Sequence, residues 1–332
     1  MEERKARELL VACGKELLER GLVARTWGNI SCRLDQNHML ITPSGLDYTT
    51  MQPEDIALMD LTTLQWQGPH KPSSEKGVHV AAYQTYPNVE FVIHTHQEYA
   101  TALGLAGADD MDISLEEEAK LGGIAVAEYG LSGTGKLTKA VRKKFMTGAE
   151  VIFMVHHGVV IAGGSKEETI EKAVLLDQIC RRNCKAVERS DKAAKQQDAE
   201  ALLKEVKKNY PVCQLLQTPM LLTAAKEQRP VLAQVDDMAQ MIGRSIPVVN
   251  GKTAEVLAAL GKADAVLIRG YGAIVKAENQ DDCEAMGLLV QKAALCHLHT
   301  AALHKEKKCR LGFLDVALQH FVYVKKYAKQ KK

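Results

Sequence analysis

Apolar residues recur every three or four positions over residues 2–20, where Ala6, Leu9, Leu10, Cys13, Leu17 and Leu18 share one face and Gly21 follows. That period predicts an amphipathic helix stopped by glycine. The pattern then shortens into two β segments, Ser31-Cys32-Arg33-Leu34 and His38-Met39-Leu40-Ile41, joined by the turn-like Asp35-Gln36-Asn37. Ile56-Ala57-Leu58-Met59-Asp60 and Leu64-Gln65-Trp66-Gln67 predict a second hairpin. A helix is expected from about Ser74 to Thr85, ending near Pro87. Two apolar runs follow as strands, Val89-Glu90-Phe91-Val92-Ile93 and Val151-Ile152-Phe153-Met154-Val155, and a helix is expected over about 97–105. Ser165-Lys166-Glu167-Glu168 is a capping-box pattern opening a long helix to about Ser190. This mixture predicts an α/β fold with a mostly antiparallel sheet covered by helices. No Gly-x-Gly-x-x-Gly follows a strand, which argues against a dinucleotide fold.

Residues 190–212 are rich in Lys, Asp, Gln and Glu and read as an exposed helix plus linker closing at Pro211. Beyond them the apolar pattern repeats. Ala149-Glu150-Val151-Ile152-Phe153-Met154-Val155-His156-His157-Gly158-Val159-Val160-Ile161 aligns with Ala263-Asp264-Ala265-Val266-Leu267-Ile268-Arg269-Gly270-Tyr271-Gly272-Ala273-Ile274-Val275 at a constant offset of 114. The same offset sets Asn279 on Ser165, and Gly133-Thr134-Gly135-Lys136 loosely resembles Gly251-Lys252-Thr253. The expected organisation is a first domain over 1–190, a charged helix and linker over 191–212, and a partial, degenerate repeat over 213–332.

At 332 residues, 46% apolar and with net charge +2, the chain has the balance of an ordinary globular protein. That charge gives no support for a nucleic-acid partner. No apolar run approaches the roughly 20 residues that cross a bilayer, so no membrane partner is expected. The charged N-terminus, Met1 to Arg7, reads as a helix start rather than a secretory signal, and the basic tail from Lys325 to Lys332 as a solvated terminus. The eight cysteines show no Cys-x-x-Cys spacing, which fits reduced thiols and a cytoplasmic protein.

The chemistry concentrates at Glu75, His94-Thr95-His96 and His156-His157-Gly158. On a strand, His94 and His96 point to the same side. Three imidazoles and a carboxylate make a site for Zn²⁺ or another divalent ion, with Mn²⁺ and Co²⁺ also suited to such donors. Packed strand-end histidines are the simpler reading of any one of them alone. His297, His299 and His304 fall on a late helix, where His297 and His299 face different ways, and no site is expected there.

Five motifs occur in a telling order: Gly28-Asn29-Ile30-Ser31, Ile41-Thr42-Pro43-Ser44-Gly45, Pro72-Ser73-Ser74-Glu75, His94-Thr95-His96 and His157-Gly158. Over residues 1 to about 188 the chain resembles the class II aldolase/adducin superfamily, and within it the zinc-dependent sugar-phosphate aldolases. The resemblance implies an α/β/α sandwich and His94, His96 and His157 as metal ligands, with His156 turned away. It implies Glu75 as general base, removing a proton beside a ketone while the cation stabilises the resulting enediolate. It implies that Thr26, Gly28, Asn29, Ser44, Gly45, Ser73 and Ser74 surround a phosphate, supplying O–H and N–H donors and close backbone approach. The implied substrate is a small phosphorylated sugar, a ketose 1-phosphate cleaved to dihydroxyacetone phosphate and an aldehyde, and the implied assembly a homo-oligomer.

The aldolases place a tyrosine as proton donor where this chain has Ser114. Dehydratases of the family use a glutamate in that neighbourhood, so Glu117 is a candidate acid/base or an ordinary acidic helix start. Phosphopentose 4-epimerases usually carry Asp at the position of Glu75. Dehydration, decarboxylation or epimerisation at the same site stays open, as does a metal-free adducin-like scaffold.

Overall fold

Odd and even residues of the central strands enter two different cores, and this alternation sets the layers of the first part of the molecule. In the computed structural model, which describes residues 2–108, 111–186 and 193–326, the chain forms two units, Met1–Cys184 and Lys185–Lys332. The first contains α1 (Glu3–Glu19), β1 (Asn29–Arg33), β2 (His38–Ile41), β3 (Ala57–Asp60), β4 (Trp66–Gln67), α2 (Lys76–Thr85), β5 (Phe91–Thr95) and α3 (Glu98–Ala106). It continues through α4 (Leu115–Leu121), β6 (Ile124–Ala127), α5 (Gly135–Phe145), β7 (Val151–Met154), β8 (Gly158–Gly163) and α6 (Lys166–Asn183). The strands form one sheet in the order β4-β3-β2-β1-β5-β8-β7-β6. Every pairing is antiparallel except β6 with β7.

Phe91, Ile93, Val151, Phe153, Val159 and Ile161 pack with Leu10 and Leu17 of α1, Leu103 of α3, and Ile170 and Leu176 of α6. Their strand neighbours Val92, Ile152, Met154, Val160 and Ala162 pack with Val78 and Ala82 of α2 and Leu137, Val141 and Phe145 of α5. The result is an α/β/α sandwich in which both faces of the central strands β5, β7 and β8 are buried. Phe153 is fully buried, and its truncation to Ala costs about 3–5 kcal/mol in such a setting.

Two details differ from the sequence reading. Ser165 Oγ accepts from Glu168 N at 3.2 Å, but the Glu168 carboxylate reaches back to Gly164 N at 2.9 Å, one residue earlier than a capping box requires. The helix it opens stops at Asn183 instead of continuing to about Ser190. The Asn183 amide donates to Ile179 O and Asp112 O and accepts from Asp112 N, tying the helix end to a neighbouring segment. Residues 187–190 lie outside the described residues.

The second unit comprises α7 (Gln196–Lys207), β9 (Cys213–Leu216), α8 (Pro219–Lys226), β10 (Val231–Leu232), α9 (Asp236–Met241) and β11 (Ser245–Ile246). Then come β12 (Val248–Val249), α10 (Thr253–Leu260), β13 (Ala265–Ile268), β14 (Gly272–Lys276), α11 (Gln280–Ala302) and α12 (Phe313–Lys326). β10 pairs with β11, and the main sheet runs β12-β13-β14-β9. α7 buries Leu202 and Val206 against Val256, Leu260, Val266 and Ile274. The helix expected in the charged segment is α7, and it joins this unit's core along one face, with its lysines and glutamates on the outer face. Residues 327–332 of the basic tail lie outside the described residues. Among the described residues no helix is long and apolar enough to cross a membrane, and Cys13, Cys32, Cys180, Cys213 and Cys283 are free thiols.

Candidate metal centre

Antiparallel register begins the site. Asn29 of β1 stands directly opposite His94 of β5, so the two side chains rise from the same face of the sheet. His94 belongs to the same strand face as Val92, the face covered by α2. Glu75 is the N-cap residue of α2 and its backbone N–H donates to Ser73 Oγ at 3.2 Å. Its side chain makes no cap bond and is directed at the histidines instead. His96 follows the end of β5. His157 arrives from the turn between β7 and β8, where His156 takes φ +68°. There the adjacent rings diverge: His156 lies edge-on to Tyr129 with centroids 5.0 Å apart, and His157 stacks on His94 at 4.9 Å.

Two glycines let these segments approach. A Cβ on Gly158 would sit 2.3 Å from Thr95 O, and one on Gly28 would sit 2.6 Å from His94 O. Neither contact is tolerable, so each position requires glycine.

One ligand atom from each of Glu75, His94, His96 and His157 lies within 4.8 Å of the other three. His94 Nδ1 donates to Val159 O at 2.8 Å, which leaves the neutral ring's Nε2 as a bare lone pair. That atom is 2.9 Å from His96 Nε2 and 3.1 Å from Glu75 Oε2. Glu75 Oε1 is 2.5 Å from His157 Nε2. Lone pairs this close repel unless a proton or cation lies among them, and a divalent ion suits this borderline-soft donor set. The Val159 carbonyl is the kind of outer partner that fixes the tautomer of a ligating histidine.

Glu75 is only 7% exposed. Burial pushes its carboxyl pKa up, but His157 and His94 beside it outweigh burial and hold it well below the usual carboxylate range. Asn29 Nδ2 donates to its Oε2 and Ser132 Oγ to its Oε1, each at 2.9 Å.

The family model for the class II aldolase and adducin N-terminal domain matches residues 8–184. The chain belongs to this family. A 5-methylthioribulose-1-phosphate/5-deoxyribulose-1-phosphate aldolase of Rhodospirillum rubrum is 31% identical over 172 residues, covering 51% of this chain and 76% of that protein. A 3-oxo-tetronate 4-phosphate decarboxylase of Haemophilus influenzae is 28% identical over 177 residues, covering 52% of this chain and 83% of that protein. The solved structure of an L-fuculose 1-phosphate aldolase superposes with TM-score 0.51 at 28% identity, over 61% of this chain and 96% of that one.

Within this class II aldolase domain, backbone bonds bring the expected phosphate-binding segments side by side. Thr42 N donates to Ile30 O, Ser73 N to Thr42 O and Ser44 N to Lys71 O. Residues 28–30, 42–44 and 71–73 are thereby adjacent. Ser44 and Gly45 are exposed, Thr26, Gly28 and Ser74 half-buried, and Asn29 and Ser73 buried. The Asn29 amide is engaged by Glu75 and by His79, whose Nε2 lies 2.5 Å from Asn29 Oδ1.

Glu117 does not join the cluster. Its carboxylate pairs with both Arg182 Nη atoms at 2.6 and 2.7 Å and accepts from Ser114 N at 3.0 Å, completing a capping box at the start of α4. Arg182 and Ser114 together hold its pKa down to about 2, the signature of a structural carboxylate, not of a poised acid. On the late helix, His297 pairs with Glu227 at 2.9 Å and His299 accepts from Lys185 N at 3.0 Å.

Ser132 and His79 join the site although no sequence motif marks them. Ser132 sits in Leu131-Ser132-Gly133-Thr134, a polar, glycine-bearing loop that marked only a turn. His79 lies one helical turn after Glu75, and that i,i+4 spacing was the available signal.

Proposed function

We propose that the N-terminal unit is a metal-dependent aldolase that cleaves a ketose 1-phosphate to dihydroxyacetone phosphate and an aldehyde. The observation that carries this reading is the convergence of Glu75 with His94, His96 and His157. His94, His96 and His157 would hold the cation, with Zn²⁺ the first choice and Mn²⁺ or Co²⁺ alternatives. A bound divalent ion supplies a Lewis acid that polarises the ketone and offsets the charge developing on its oxygen.

The chain's own residues do the rest. Glu75 moves the proton at the carbon beside the ketone, taking it from dihydroxyacetone phosphate in the condensation direction and returning it in cleavage. Asn29 and Ser132 hold the carboxylate by its two oxygens, so it does not reorganise as charge shifts. Burial of Glu75, His94 and His157 keeps water from competing for that proton. The adjacent segments carrying Gly28, Asn29, Ser44, Gly45, Ser73 and Ser74, with Thr26 beside them, offer donors for a phosphate. Substrate bound there is oriented with its ketone toward the histidines.

A second reading keeps the site and changes the reaction to decarboxylation, as in the similar Haemophilus influenzae protein, or to epimerisation, as in a Salmonella typhi L-ribulose-5-phosphate 4-epimerase that is 31% identical over 198 residues. Glu75 in place of the epimerases' usual Asp counts against the latter. A metal-free scaffold is disfavoured by the intact ligand set. We place the protein in the cytoplasm as a homo-oligomer, a state that light scattering on the purified chain tests. The activity is tested by incubating metal-loaded protein with ketose 1-phosphates and assaying dihydroxyacetone phosphate. Release of carbon dioxide from a 3-oxo acid phosphate, with no triose phosphate from any ketose, supports the second reading instead.

A further inference from the structure

Behind Asn29, a chain of buried polar groups continues from Glu75 through His79 and Ser31 to Tyr83, the last three with no part in the proposed reaction. Tyr83 Oη is 2.8 Å from Ser31 Oγ, which is 2.7 Å from His79 Nδ1. His79 Nε2 is 2.5 Å from Asn29 Oδ1, and Asn29 Nδ2 is 2.9 Å from Glu75 Oε2. Ser31 and His79 are fully buried, and Tyr83 and Asn29 are 3% and 4% exposed.

Each link allows one direction. The Glu75 carboxylate only accepts, so Asn29 presents its NH₂ to it and its carbonyl oxygen to His79. A carbonyl oxygen only accepts, so His79 Nε2 carries the proton. In the neutral ring Nδ1 then accepts from the Ser31 hydroxyl, and Ser31 Oγ accepts from the Tyr83 hydroxyl. Were His79 protonated on Nδ1 alone, Asn29 would have to turn its amide over. Its oxygen would then face the carboxylate, two acceptors in contact in a site closed to water.

We propose that His79 is a positioning residue: its Nε2–H, with Nδ1 accepting from the Ser31 hydroxyl, locks the Asn29 amide and through it the rotamer of the Glu75 carboxylate. This deepens the aldolase reading and rests on it only for the benefit to catalysis. The hydrogen-bond direction itself stands apart from which reaction the site performs.

The test uses ¹⁵N-histidine-labelled full-length protein, wild type and His79→Phe, which removes the donor to the Asn29 carbonyl, with His79→Gln, whose amide can still donate, as a second variant should His79→Phe fold poorly. Long-range ¹H–¹⁵N spectra of the metal-free wild type read the His79 tautomer, and titration with Zn²⁺ alone reads affinity. The expected result is the Nε2–H tautomer in wild type and a Zn²⁺ affinity lowered about 10- to 100-fold in His79→Phe, the range for loss of an outer partner of a metal site, with a smaller loss in His79→Gln. An Nδ1–H tautomer in wild type overturns the proposal. So does a folded His79→Phe protein whose Zn²⁺ affinity is unchanged, or a His79→Gln protein that loses as much affinity as His79→Phe. If wild type binds no Zn²⁺ yet shows the expected tautomer, the hydrogen-bond direction stands and the metal-dependent reading fails.

Discussion

At the turn between β7 and β8 the chain carries His156-His157-Gly158, and at the turn between β13 and β14 it carries Gly270-Tyr271-Gly272. The surrounding frames match closely. β12-β13-β14-β9 repeats the order β6-β7-β8-β5, including the parallel pair at one edge and the antiparallel pairs that follow. Ala273 faces Leu216 as Val159 faces Thr95, and Ile274 faces Leu215 as Val160 faces His94. The first residue of each turn's pair has positive φ, +68° at His156 and +76° at Gly270. A Cβ on Gly272 would sit 2.0 Å from Leu216 O, the counterpart of the 2.3 Å contact between Gly158 and Thr95 O. Ser165 and Asn279 cap the following helices through Glu168 N and Asp282 N.

The two regions keep what the backbone demands and differ in what chemistry demands. By register, Leu215 stands where His94 does and Gln217 where His96 does, while Tyr271 replaces His157. A leucine at the first of these positions shows that the frame closes without an imidazole there. The histidines of the first unit are therefore not fold requirements, which supports reading them as ligands. It also supports our proposal that residues 213–332 are a partial duplicate, which among the described residues lacks counterparts of α1 and β1–β4.

The largest test of that contrast is Glu75→Gln. We expect turnover to fall by about 10²–10⁴-fold, the usual contribution of a general base, with the fold intact by circular dichroism. Retained turnover would remove the base from the account. Exchanging residues across the repeat comes next. His157→Tyr, which imports the second unit's residue, is expected to lower bound metal to under about a tenth of wild type, as losing one of three imidazole ligands should. Tyr271→His is expected to gain none, because Leu215 and Gln217 remain; elemental analysis of dialysed protein reads both.

The shared frame is probed by Gly158→Ala and Gly272→Ala. Each forces a methyl against a backbone carbonyl and should destabilise its own unit by about 1–3 kcal/mol, read by denaturant unfolding. A neutral result at either glycine would break the structural equivalence. Glu117→Gln should be mildest, leaving turnover within about twofold of wild type, since a helix-start carboxylate takes no part in proton transfer. Glu117 has its folded pKa lowered to about 2, so its stabilising effect is present above the ordinary carboxylate value near 4.3 and is lost as pH falls toward 2. The variant's unfolding should lose that part of its acid dependence.

The strands β1–β5 and β7, the helices α1, α2, α3 and α6, and the Glu75–His94–His96–His157 set were legible because period and residue type are local signals. The sandwich followed from the order of five short motifs. What stayed hidden depends on distance. His79 reads as one polar residue on an apolar helix until β1 brings Asn29 and Ser31 against it from 50 and 48 residues away. Ser132 reaches Glu75 across 57 residues. Glu117 drew attention by its sequence neighbourhood, and only the fold shows Arg182 closing on it. α7 reads as an exposed helix because charge dominates its composition, although Ala199, Leu202 and Val206 fall at helical spacing on one buried face.

The most direct test of the central claim is exchange of the carbon-bound protons of dihydroxyacetone phosphate in D₂O, followed by NMR with Zn²⁺-loaded protein. It needs no knowledge of the aldehyde. The account predicts exchange that disappears with a chelator and with Glu75→Gln, and that persists in Tyr271→Phe. No exchange in protein confirmed to hold metal would contradict the aldolase assignment.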